Sequence, residues 1–125
     1  MSVPSDLHYT ADHEWVRLDG DIAVIGVTDY AQGELGDIVF VEVETEGETL
    51  DAEEVFGTIE AVKTVSDLIL PISGEILEIN EALEDDPSLI NNDPFGAGWI
   101  IKVKVTNPSD IEGLMDATSY EASIA

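Results

Sequence analysis

Between Glu14 and Val105 apolar and polar positions alternate over short stretches, each closed by a turn signal, which is the period of half-buried strands. Glu14 to Arg17 and Ile22 to Val27 flank Leu18, Asp19, Gly20 and Asp21, and an Asp-Gly pair between two such runs predicts a hairpin. Ile38 and Phe40 are set against Val39, Val41 and Val43, and Glu46, Gly47 and Glu48 then turn the chain toward a strand from Val55 to Val62. A further hairpin-like region runs from Leu68 through Pro71 and Gly74 to Ile79, and a last strand spans Trp99 to Val105. Turns at this spacing predict a mainly β fold, a small sandwich or barrel.

Two segments break the alternation. Thr28 to Gln32 reads as a capped short helix, near residues 28–35, that Gly33 or Gly36 would end. In the tail, Ser109 and Glu112 make a capping-box pair after Pro108, and Thr118 and Glu121 repeat that spacing, so residues 109–125 are expected to be helical. The chain reads as a single domain over 1–125 with its core at about 7–105. A faint internal repeat relates VEVETEGETLDAEEVFGTIE to GEILEINEALEDDPSLINNDPFGAGWIIKVK; the segment joining them, AVKTVSDLILPIS, would protrude as a hairpin with Lys63 near its tip.

Charge narrows the functions. With 28 Asp+Glu against 4 Lys+Arg the formal net charge is −24, which excludes partners held through phosphates, whether nucleic acid or an anionic membrane surface. A hydrophobic fraction of 44% and a mean hydropathy of +0.07 nevertheless provide a core. Such acidity suits a salt-rich cytoplasm, where screening shortens the reach of repulsion between carboxylates. There is no Cys, so no disulfide or thiolate chemistry is available. Neither a signal-peptide pattern nor a membrane-length apolar run is visible, and the expected location is the cytoplasm.

Lys102 and Lys104 share one face of the last strand by period two, the ordinary place for solvated lysines. Lys63 differs, because the other charged residues of its segment, Glu60 and Asp67, are both acidic. One reading is a surface lysine that neutralises them. The other is a lone amine on a rigid turn that is acylated by the carboxylate tail of a cofactor, with Glu60, three residues before it, read by the modifying enzyme.

The stretch GTIEAVKTVSDLILPISGEILEIN resembles the lipoyl-attachment segment of the glycine cleavage system H proteins. DHEWVRLDGDIAVIGVTDYAQGELGDIVFVEVE is similar to that family's opening, and INNDPFGAGWIIKVK to its closing strand, so that the resemblance covers about Leu7 to Tyr120. It implies a barrel-sandwich hybrid, lipoyl/biotinyl-like, of two antiparallel sheets, with lipoate in amide linkage to Lys63. It further implies a shuttle rather than an enzyme. The arm takes an aminomethyl group from a pyridoxal-phosphate glycine decarboxylase to a tetrahydrofolate-dependent aminomethyltransferase, and an FAD-containing dihydrolipoyl dehydrogenase reoxidises it. A lipoate-attaching enzyme completes the set of partners, and the carrier is expected to be a monomer.

The resemblance also implies a cleft that shelters the loaded, cationic arm, with Glu14 the first carboxylate to line it, Asp67 the second and Asp12 a third. Asp12 stands where members of the family often carry Ser or another small or acidic residue. Two alternatives stay open: a lipoyl donor to 2-oxoacid dehydrogenase subunits, and an unmodified binding module of the same fold. His8 and His13 lack metal-ligand spacing and read as satisfied surface residues, and Glu84, Asp85 and Asp86 lack a Gly-centred calcium loop; no metal site is expected.

Overall fold

The computed structural model describes residues 3–125 as two antiparallel sheets and a few short helices. The larger sheet has six strands in the order β1 (His8–Tyr9), β2 (Glu14–Asp19), β3 (Ile22–Val27), β9 (Ile101–Val105), β8 (Gly74–Ile79) and β5 (Thr49–Leu50). The smaller has three, with β6 (Val55–Ala61) between β4 (Ile38–Glu42) and β7 (Val65–Ile69). Gly20 and Asp21 are the two loop residues of the expected hairpin between β2 and β3, closed by the pair Asp19 and Ile22.

The main core lies between the sheets. Val16, Ala23, Ile25, Phe56, Ile59, Leu68, Ile76 and Val103 are all buried there, as the alternation requires. A second cluster around Tyr9, Trp15 and Tyr120 occupies the other side of the large sheet. Trp15 donates its indole N–H to Pro94 O at 2.9 Å. It lies opposite Gly26, where a Cβ would meet the ring at 2.8 Å, so only glycine leaves room for it.

Several expectations are corrected. The segment from Leu68 to Ile79 is not a hairpin: β7 belongs to the small sheet and β8 to the large one, and buried Leu70 and Ile72 carry the chain across. The strand expected to reach Val62 ends at Ala61, and the last strand starts at Ile101 rather than Trp99. The lengthened half of the repeat holds two single-turn helices, α2 (Ala82–Asp85) and α3 (Leu89–Asn92). Both halves still pair their first and last strands, β4 with β6 and β8 with β9.

In the tail, residues Pro108–Gly113 form a 3-10 turn without a capping box, because Ser109 bonds Asn107 instead. The last helix, α4 (Ala117–Ile124), is capped by Asp116, which accepts from Ser119 N at 2.8 Å; Thr118 lies inside it. This tail is part of the packing: Tyr120 is fully buried and stacks on Tyr9 at 4.7 Å between centroids. The core therefore extends beyond residue 105.

Candidate functional site

Val62 and Lys63 are the central residues of the turn between β6 and β7, which Ala61 N–H closes by donating to Thr64 O at 2.8 Å. Lys63 is exposed and makes no ion pair among the described residues. Its turn is braced from below. Val62 N–H donates to Asp37 O at 3.0 Å, and the segment holding Asp37 is itself clamped by Asn91 of α3. The Asn91 amide donates to Gly36 O at 2.8 Å and to Gln32 Oε1 at 3.0 Å, and its carbonyl accepts from Ile38 N at 2.9 Å.

Gly36 ends the helix α1 (Asp29–Leu35), which Thr28 caps by accepting from Ala31 N at 3.1 Å. With φ at 82° and ψ at −154°, Gly36 holds a conformation open essentially to glycine alone, and the stem of Lys63 lies beside it. Glu60 is exposed on the outer face of the small sheet, paired across the strands with Phe40 and Val65.

A cavity of about 150 Å³ opens along the side of α1. Its walls are Asp12, His13 and Glu14 before and in β2, Val27 of β3, Ala31, Glu34 and Leu35 of α1, and Ile59, Ser66, Asp67 and Leu68 of the small sheet. The fold thus brings Asp12, Glu14 and Asp67 to one cavity and leaves Glu60 outside it. Glu14 is only 3% exposed. Its Oε2 accepts from Ile69 N–H at 3.0 Å, whereas Oε1 is buried with no hydrogen-bond partner among the described residues. Burial pushes the carboxyl well above the ordinary carboxylate range; the Ile69 N–H pulls it back, and the charge of Asp12 adds a further rise.

A buried acid with one unpartnered oxygen, on the wall of a cavity, is suited to meeting a cation that loses its water there. A larger cavity of about 560 Å³ is also bordered by Asp12. One of its carboxylates, Asp110, is already engaged by Ser73 N and the Asn107 amide, at 2.9 and 3.1 Å.

His13 is the residue that the sequence undervalued. It bonds the Tyr120 hydroxyl through Nδ1 at 3.0 Å, packs on Tyr30 at 4.6 Å, and has φ at 65°. The Tyr120 hydroxyl also bonds Thr28 Oγ1 at 2.7 Å, so the last helix ties together the Asp12 to Glu14 turn and the start of α1. Tyr120 is 107 residues from His13, and no local signal joins them. Lys102 is also less simply solvated than expected, lying 4.9 Å from the Trp99 ring centre and 3.8 Å from Glu78 Oε2.

The model of the glycine cleavage H-protein family matches residues 7–125. The chain belongs to this family. It is 58% identical to the glycine cleavage system H protein of Bacteroides fragilis and 60% identical to that of Bacteroides thetaiotaomicron, in both cases over 99% of this chain and 98% of the relative. The crystal structure of the H protein from Mycobacterium marinum superposes with a TM-score of 0.89 at 44% identity, covering 98% of each chain. Family membership and the two antiparallel sheets agree with the fold expected from the sequence.

Proposed function

We propose that this H-protein family member is a lipoylated carrier of glycine cleavage, with lipoate in amide linkage to Lys63. The observation that carries the reading is the placement of an exposed amine on a braced turn, its stem beside the end of the helix whose residues wall the Glu14 cavity. Lipoate held by Lys63 would supply a dithiolane for taking up the aminomethyl group from the pyridoxal-phosphate decarboxylase and for its transfer to the tetrahydrofolate-dependent transferase, with the FAD dehydrogenase as the partner for reoxidation.

This chain's own residues position and protect. The turn presents the Lys63 amine to the lipoate-attaching enzyme, with Glu60 beside it for recognition. Glu14 is the acid that would meet a cationic group, and Asp12 adds negative charge at the cavity; Asp67 borders the cavity but shares the outer face of the small sheet with Val65, two residues away. The walls formed by Val27, Ala31, Leu35 and Ile59 exclude water, which strengthens the attraction. We place the carrier in the cytoplasm, as a monomer, and assign its acidity to a salt-rich one.

The test is reconstitution of glycine cleavage with Lys63→Arg, which keeps the positive charge but cannot take the acyl group. Activity should vanish. Retained activity would refute the carrier reading, and wild-type protein that is never acylated would point to an unmodified module.

A further inference from the structure

Exposed large apolar side chains are concentrated on the small sheet and its hairpin. Of the six that stand out in the described residues, Val39, Phe40, Val55, Val62 and Val65 belong to the small sheet and its hairpin, and only Leu77 lies on the large sheet. The register explains how they gather. Phe40 on β4, Glu60 on β6 and Val65 on β7 are direct cross-strand partners, so their side chains stand in one row on the outer face. Their neighbours Ile38, Ile59 and Ala61 point inward and are buried. Phe40 is 48% exposed, Val65 61%, and Val62 at the tip 75%; a run of this kind beside a reactive amine exceeds the scattered apolar surface ordinary for a soluble chain.

The charges of this face are one-sided. Glu42, Glu60 and Asp67 are exposed on it, the first and last flanking Thr58 in the next row. The other cations, Arg17, Lys102 and Lys104, all sit on β2 and β9 of the large sheet, so acylation of Lys63 would remove the only lysine or arginine here.

We propose that this outer face, the row Phe40, Glu60 and Val65 with Val62 at its end, is the docking surface for the enzyme that acylates Lys63, which meets it with an apolar depression rimmed by lysine or arginine. The inference rests on the carrier reading and extends it from one lysine to a surface. It assigns the face to the acylating enzyme because that enzyme alone must bring its reacting carbon to Nζ and so cover the residues around it; enzymes acting at the far end of a tethered arm need not. In the step, the neutral Lys63 amine attacks the carbonyl carbon of an activated acyl donor, an acyl-phosphate mixed anhydride or thioester. The C–N bond forms, the bond to the leaving group breaks with its electron pair, and the amine proton passes to solvent. Apolar contact at Phe40 and Val65 would supply affinity, and the carboxylates would supply steering and orientation.

The experiment measures acylation of the unmodified full-length chain by a purified lipoate-attaching enzyme with lipoate and ATP, read by intact mass. Phe40→Ser and Val65→Ser should each raise the KM for the carrier about tenfold, with kcat within twofold. Leu77→Ser should leave KM unchanged, and added KCl should raise KM for wild type. All these side chains are exposed, and circular dichroism checks that each variant is folded. Unchanged KM in both small-sheet variants, or an equal rise in Leu77→Ser, would overturn the docking surface while acylation of wild type left the carrier reading standing. Wild type that is never acylated would overturn both.

Discussion

The stem of Lys63 rests on Gly36: a Cβ there would stand 3.3 Å from Lys63 Cε and 3.7 Å from Nζ. The residue that ends α1 thus also gives the Lys63 side chain its seat, which ties the helix walling the cavity to the turn carrying the amine. Gly36→Ala should cost about 1–3 kcal/mol through the strained backbone alone. The added methyl would also push the lysine stem off its seat. Urea unfolding should show a lower midpoint, and acylation of Lys63 should slow by several-fold; an unchanged midpoint would contradict the seat.

Asn91 should govern the same turn from a distance. Removing its side chain leaves the amide of Ile38 and the carbonyl of Gly36 without that partner, and the segment that receives Val62 N–H loses its clamp. Asn91→Ala should therefore destabilise by about 1–3 kcal/mol. Amide exchange at Val62 should accelerate more than at Val24 in the large sheet. Equal acceleration at both would reduce Asn91 to a general contributor to stability.

Glu14 gives a pH signature whose sign is fixed. Burial raises its carboxyl in the folded state, so between the unfolded value of about 4.3 and the folded value the native chain binds more protons than the unfolded one. Stability from this group is intact below the unfolded value and is lost as pH rises toward the folded one. The stability of Glu14→Gln relative to wild type should consequently climb from pH 4 toward neutrality, as followed by thermal unfolding at a series of pH values. A difference that stays flat, or falls, would show that Glu14 carries its charge without penalty.

A net charge of −24 on 125 residues predicts strong salt dependence. Raising KCl from about 0.1 to about 1 M shortens the screening length from about 10 to about 3 Å and should raise the unfolding temperature. A constant unfolding temperature across that range would refute the assignment to a salt-rich cytoplasm.

What the sequence made legible was local. Asp19 and Gly20 announce their hairpin, Thr28 its cap, and alternation the inward face of each strand, because each depends on neighbours within a few positions. The transfer of the chain between sheets at Leu70 to Ile72 was hidden, since a hairpin and a crossover show the same pattern of apolar residues and turn formers around Pro71. The single-turn helices α2 and α3 are too short to display a helical period. Of the site, Lys63 stood out by charge and resemblance, and the burial of Glu14 did not, because a carboxylate in a half-buried strand ordinarily faces water. Asn91 and Tyr120 were out of reach: the side-chain hydrogen bonds that hold them span between 53 and 107 residues, and only the folded chain brings these partners together.

The central claim concerns one nitrogen, and the intact mass of the chain isolated from its native cells during growth on glycine tests it most directly. The account predicts a mass increased by one lipoyl amide, with fragmentation placing it on Lys63. A wholly unmodified mass under that condition, or a lipoyl group on Lys102 or Lys104 instead, would contradict it.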